Sequence, residues 1–262
     1  MIDLNSMFGL TGRTAVVVGG GAGMGRAGAV ALAAAGAHVV VADRDVEAAR
    51  GTVGSIDEST GGATATAVDL ADAASIGALV DAYADTADVL VVTPGINVRR
   101  ALADTTDDDF DLVVDVNLRG YYRLLRAFGP RMATRGGGSI VVFVSFRAMV
   151  VEPGQGLYAA AKAGVVQLTK ALAAELGPQR VRVNAIAPGP FETALTEPIK
   201  ADQQWYDAYT NKTALRRWAQ PEEMAGTIVW LASEASSYVT GSVVLVDGGW
   251  MAVDGRFEPR LT

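Results

Sequence analysis

The stretch "VVVGGGAGMG", Val16 to Gly25, decides the fold. β-Branched residues run into consecutive glycines, and an Ala-rich segment of helical length, "GRAGAVALAAAG", begins before the turn is over. Valines favour a strand and glycines permit a tight turn. Gly19, Gly23 and Gly25, with Met24 among them, can form that turn, let the backbone approach a pyrophosphate and present N–H groups at a helix start. The next β-branched run, "HVVVAD", ends at Asp43, eighteen residues after Gly25. A carboxylate there is placed to bond both ribose hydroxyls of an adenosine and to repel a 2′-phosphate. Arg44 could pair with such a phosphate, but Asp43 should dominate and Ala22 brings no second cation, so NAD is expected over NADP. The competing reading uses the glycines for close packing and Asp43 as the cap of the helix "DVEAAR".

Outward from this stretch the alternation continues. "TATAVDL", "ADVLVVT", "GGGSIVVFVS", "VRVNAIAP" and "SVVLVDGG" read as strands. "ADAASIGALVDAYADT", residues 107–133, residues 155–176 and "QPEEMAGTIVWLAS" read as helices, with the 155–176 helix stopped by Gly177-Pro178. Strands apolar on both faces, alternating with helices, predict a mostly parallel, doubly wound, seven-stranded α/β sheet of Rossmann type. No linker, repeat or low-complexity tract divides the chain, so residues 1–262 are expected to form a single domain. Two regions stand apart: a substrate-loop insert at about 190–215 and a C-terminal tail at 250–262. In the first, Trp205, Tyr206 and Tyr209 show no clear period; a substrate cover and two short surface helices are both compatible with it.

Composition narrows the function. The chain has no Cys and a single His, His38, which excludes thiolate chemistry, Cys- or His-cluster metal sites and a disulfide framework. No metal is expected, and a reducing cytoplasm fits. The net charge of −7 without a basic block argues against nucleic acid as a partner. No apolar stretch is long and unbroken enough for a membrane span, and the N-terminus lacks the pattern of a signal peptide.

A second stretch, "SFRAMVVEPGQGLYAAAK", runs from Ser145 to Lys162. Tyr158 and Lys162 are four apart and share a helix face. An ammonium nearby favours the phenolate, so Tyr158 can serve as general acid or base. Ser145 ends the fifth strand, where parallel strands open into the binding crevice. With "VDVNLRG" around Asn117, "NAIAPG" (184–189) and "SYVTGSVVLVDGG" (237–249), these segments resemble the short-chain dehydrogenase/reductase family in order and spacing, from about Leu10 to Gly249.

The resemblance implies a catalytic tetrad. Tyr158 is the acid/base, Ser145 orients the reacting oxygen, Lys162 binds the nicotinamide ribose and lowers the tyrosine pKa, and Asn117 holds a water linking Lys162 to solvent. It also implies cofactor contacts from Asp69, Leu70, Gly95, Ile186, Pro188, Gly189 and Thr193, and a homotetramer. Two departures stand out. Val18-Gly19 replaces the family's Thr-Gly, and Val92-Thr93-Pro94-Gly95 replaces its Asn-Asn-Ala-Gly. The first loses a hydroxyl that tethers the turn; the second loses Asn side chains that brace neighbouring strands, and Pro94 removes a backbone donor.

Asn97, Arg99, Arg147, Glu152 and Gln155 should border the substrate, with Trp205 as a ring that could stack on a sugar. Such a set suits a small polar molecule: a sugar, polyol, sugar acid or hydroxy acid. An inward-facing Arg would hold an acid group. Alternatively Arg147 and Glu152 pair with each other. The expected activity is NAD-dependent hydride transfer between nicotinamide and a secondary alcohol or ketone. A 3-oxoacyl-thioester reductase is the alternative enzyme, and a nucleotide-binding regulatory protein the non-enzymatic one.

Overall fold

The computed structural model describes residues 3–57 and 60–254. Seven strands, β1 (Thr14–Val18), β2 (His38–Asp43), β3 (Ala63–Ala67), β4 (Val89–Val92), β5 (Gly138–Phe143), β6 (Val181–Pro188) and β7 (Val243–Val246), form one sheet in the order β3-β2-β1-β4-β5-β6-β7. Every pairing is parallel. The helices in chain order are α1 (Leu4–Phe8), α2 (Gly23–Ala34), α3 (Val46–Val53), α4 (Ala73–Tyr83), α5 (Asp107–Val114), α6 (Gly120–Thr134), α7 (Gly156–Leu176), α8 (Glu197–Lys200), α9 (Gln203–Lys212) and α10 (Ala225–Ala232).

Successive strand residues point to opposite faces, so each valine-rich strand feeds two cores. Val16, Val18, Leu90, Val92, Ile140 and Val142 pack with Leu124 and Phe128 of α6 and Val165 of α7. Ala15, Val17, Val39, Val41, Val89 and Val91 pack on the other face with Leu32 of α2 and Ile228 and Leu231 of α10. The strand order reverses between β1 and β4, which opens a crevice at their carboxyl ends where ligands bind in such sheets.

Two elements differ from the sequence reading. The long helix expected over 107–133 is interrupted at Asp115–Arg119 by one π-helical turn, which separates α5 from α6. A π-turn adds a residue to the turn and redirects side chains; here it carries the fully buried Asn117. The segment 190–215 contains a short 3-10 turn, α8 and α9. Its aromatic residues have no helical period because they belong to a separate small core. Phe146, Ile199, Tyr209 and Trp218 form that core, with Trp205, Tyr206 and Trp250 packed against it. Trp250 thus docks on Phe146 and Tyr209, at ring-centroid distances of 5.0 and 4.8 Å. The rest of the expected tail, from 255 on, lies outside the described residues.

Candidate active site

The glycine turn between β1 and α2 leaves no room for side chains. Gly19 has φ +81°, and a Cβ on Gly25 would lie 2.0 Å from the Gly19 carbonyl oxygen. The tether lost with Val18 returns from the neighbouring strand. The Thr93 hydroxyl donates to the carbonyl oxygens of Val18 (3.0 Å) and Gly19 (3.2 Å). Thr93 was missed as a site residue in the sequence, because its role depends on β4 lying beside β1.

Asp43 closes the rim of this turn. Its Oδ2 accepts from the Gly21 N–H at 2.9 Å and its Oδ1 from the Asp45 N–H at 3.0 Å. The cap of α3 is Asp45, which accepts from the N–H groups of Glu47 and Ala48. Asp43 is therefore not the helix cap that the competing reading made it. Asp69 and Leu70 follow β3 at the same end of the sheet; Asp69 caps a local turn at Ala71 and Leu70 packs into the core. Arg44 is exposed beside Asp43.

A cavity at the carboxyl ends of the strands gathers many of the remaining predicted residues; Arg99, Asn117, Glu152 and Trp205 are not part of its lining. Met24, Gly95, Asn97, Ser145, Arg147, Gln155, Tyr158, Lys162, Pro188, Gly189 and Thr193 line it, together with an apolar wall of Phe146, Phe191, Leu195 and Ile199. Gly189 is needed for the close approach of β6 to Asp247, since a Cβ there would meet the Asp247 Cα at 2.5 Å. Ile186 is fully buried in the sheet core and does not line the cavity. A larger cavity of about 900 Å³ lies at the opposite end of the strands. Its Arg13 and Arg135 pair with Asp88, and its Arg182 donates to the Leu231 and Ser233 carbonyls. With those cations engaged, the chemistry points to the carboxyl end.

Of the expected tetrad, Ser145, Tyr158 and Lys162 line this cavity, and Asn117 is fully buried, bonded to the loop after β4. Burial pushes the Tyr158 phenol up to about 12, opposed by a hydrogen bond from Ser145 and by the charges of Arg99 and Arg147. Burial also lowers the Lys162 ammonium to about 7. Lys162 Nζ donates to the Phe143 carbonyl (2.8 Å), the Tyr121 hydroxyl (3.0 Å) and the Pro94 carbonyl (3.2 Å). Asn117 accepts at Oδ1 from the Ile96 N–H (3.0 Å) and donates to the Ile96 carbonyl (2.8 Å). Its side chain thus fixes the loop after β4 beside Lys162.

Arg147 and Glu152 pair with each other, at 2.9 Å. Glu152 also accepts from Trp205 Nε1 (3.0 Å), Gln155 and the Tyr209 hydroxyl. The pair fastens α9 over the cavity. Trp205 therefore has its indole N–H engaged, and the Arg99 guanidinium lies over its ring at 5.1 Å. Asn97 donates to Gln155 Oε1 at 2.9 Å. Among the described residues, Arg99 Nη1 and Asn97 Oδ1 are buried with no hydrogen-bond partner.

Comparison with known proteins agrees with this architecture. A family model described as enoyl-(acyl carrier protein) reductase matches residues 19–251. The short-chain reductase protein NovJ of Streptomyces niveus is 41% identical over 243 residues, covering 90% of this chain and 92% of that protein. The 3-oxoacyl-[acyl-carrier-protein] reductase FabG of Thermotoga maritima is 35% identical over 243 residues, covering 92% and 98%. A solved structure from Beutenbergia cavernae superposes with a TM-score of 0.91 at 40% identity, covering 94% of this chain and all of that one. That protein is provisionally assigned as an NAD(P)-dependent gluconate 5-dehydrogenase and carries NADP at low occupancy. This chain belongs to the short-chain dehydrogenase/reductase family. It is an oxidoreductase that works with a nicotinamide cofactor. The glycine cradle at Gly19 and Gly25, with Asp43 at its rim, fits such a dinucleotide.

Proposed function

We propose that the chain interconverts a secondary alcohol and a ketone on a small polyhydroxylated acid, such as a sugar acid or hydroxy acid, with NAD as the preferred cofactor. The observation that carries the substrate class is the pair of unpartnered buried atoms, Arg99 Nη1 and Asn97 Oδ1. A buried donor or acceptor without a partner is costly, and a ligand that satisfies it recovers that cost. One donor on a cation and one acceptor suit a carboxylate next to a hydroxyl. Arg99 also acts electrostatically on Tyr158, so the acid would sit near the reacting carbon. Arg147 is paired with Glu152, which favours Arg99 over it as the acid-binding residue.

The nicotinamide ring, when bound, supplies the hydride acceptor or donor and a positive charge. The side chains supply the rest. Ser145 holds the substrate oxygen. Tyr158 takes the hydroxyl proton as the C–H bond gives up its hydride, and returns it in reduction. Lys162 Nζ lies 5.9 Å from the Tyr158 ring centroid, and when protonated its charge favours the phenolate. Protonated at neutral pH in this structure, Tyr158 is set to donate; the Ser145 hydrogen bond and the charges of Arg99 and Arg147 work against its burial and favour ionisation for oxidation.

Two substitutions test the reading. Arg99→Ala should lower kcat/KM for an acid substrate by about 100-fold, the worth of a charge-assisted pair, and leave a neutral polyol within a few-fold. Equal losses on both would remove Arg99 from acid recognition. Asp43→Ala should cut kcat/KM with NAD by about 10- to 100-fold and improve NADP relative to it. If the NAD/NADP ratio of kcat/KM stays fixed, Asp43 does not select the cofactor.

A further inference from the structure

Tyr121 stands at the second position of α6 and is fully buried. Its hydroxyl donates to the Pro94 carbonyl at 2.6 Å and lies 3.3 Å from the Val92 carbonyl. The same oxygen accepts from Lys162 Nζ at 3.0 Å, and the ammonium sits 4.4 Å from the Tyr121 ring centroid. These contacts fall where Val92-Thr93-Pro94 leaves the loop after β4 without bracing amide side chains. We propose that Tyr121 is a positioning residue for the reaction, whose hydroxyl accepts from Lys162, favours its charged form beside Tyr158 and frees one of its donors for the nucleotide.

An ammonium has three donors, and Phe143, Tyr121 and Pro94 take all three. A ribose hydroxyl can be reached only if one is released. The Pro94 bond is the longest of the three, and the Pro94 carbonyl already has a shorter donor in Tyr121. Lys162 can therefore leave it without orphaning a buried acceptor. Without the Tyr121 hydroxyl, Lys162 would be the remaining side-chain donor to Pro94 and would lose an acceptor that stabilises its charge. A buried tyrosine stays protonated here, because burial and Tyr158 raise its pKa well above the ordinary value. Its proton thus remains on the Pro94 side and its lone pair on the Lys162 side.

This inference rests on the role proposed for Tyr158, so its test uses readouts that need no turnover. In Tyr121→Phe the ring is kept and only the hydroxyl is lost. The Tyr158 ionisation is followed by ultraviolet tyrosinate absorbance with NAD bound, each protein referenced to its Tyr158→Phe counterpart. The midpoint should rise by about one pH unit, the worth of one hydrogen bond to a charged group. The Kd for NAD, by fluorescence, should rise by about 3- to 10-fold, as expected when one hydrogen bond to the nucleotide is weakened. Thermal unfolding of the same protein gives the structural reference and should change by a few degrees at most. An unchanged midpoint and Kd would overturn the proposal. So would a stability loss that accounts for both changes, detected as equal shifts in a second variant, Leu231→Ala, in the core on the other face of the sheet. Failure of the proposed function would show separately, as absence of turnover in the unmodified enzyme.

Discussion

Tyr158→Phe should reduce kcat by about 10²- to 10⁴-fold, the contribution of a positioned general acid/base. The substitution removes one oxygen from a ring that is only 7% exposed, so the packing around it remains. Ser145 still ends β5 and Lys162 keeps its three acceptors. The KM for substrate and nucleotide should therefore stay within a few-fold, and the melting temperature should barely move. The loss should fall on kcat, since the phenolic oxygen is the group proposed to take the proton as the hydride leaves. Initial rates at saturating substrate, with thermal unfolding in parallel, check this. A variant that keeps more than a tenth of the kcat would remove Tyr158 from the acid/base role.

Gly25→Ala should be the most damaging single methyl in the chain's nucleotide turn. The added Cβ would lie 2.0 Å from the Gly19 carbonyl oxygen and 2.7 Å from the Thr93 hydroxyl. The first of these is backbone, and it is the turn itself, so it cannot rotate away. The same hydroxyl ties β1 to β4 through Val18 and Gly19. Overpacking of this kind costs about 3 kcal/mol, which lowers the melting temperature of a chain this size by roughly 6–12 °C. Nucleotide affinity should fall by at least about 100-fold, because the N–H groups proposed to face the pyrophosphate lose their arrangement. Gly51→Ala is the matched control. No atom lies within 4 Å of its Cβ position, and it sits inside α3, so the melting temperature should hold or rise. Calorimetry and NAD titration of the two variants check both statements; equal behaviour would mean the turn tolerates a side chain.

The sheet was legible because valine-rich runs apolar on both faces have one solution, a parallel sheet covered on both sides. The order of Ser145, Tyr158 and Lys162 was legible because local spacing on one strand end and one helix face is a sequence property. Partnerships between distant side chains were not. Thr93 reads as an unremarkable residue until β4 lies against β1 and its hydroxyl meets two carbonyls. Tyr121 reads as an apolar helix position, and the π-turn before it adds a residue that no helical period anticipates. The signal that could have found it is a hydroxyl on a core face four residues after Asn117, next to a loop that had lost its amides. Glu152 and Arg147 were left open between substrate and each other; fifty-seven residues separate Glu152 from Tyr209, and only the fold brings α9 over the pair. That contact is why Arg99, with its unpartnered Nη1, is the cation proposed to meet an acid.

The decisive measurement is nucleotide reduction by the purified protein with aldonates, other hydroxy acids, neutral polyols and a 3-hydroxyacyl thioester, each with NAD and with NADP. The expected result is NADH formation with an acid-bearing polyol, slower NADPH formation from NADP, and no comparable rate with the thioester. Turnover confined to the thioester with NADP would contradict the proposed function, and would make Arg99, Asn97 and Asp43 scaffold.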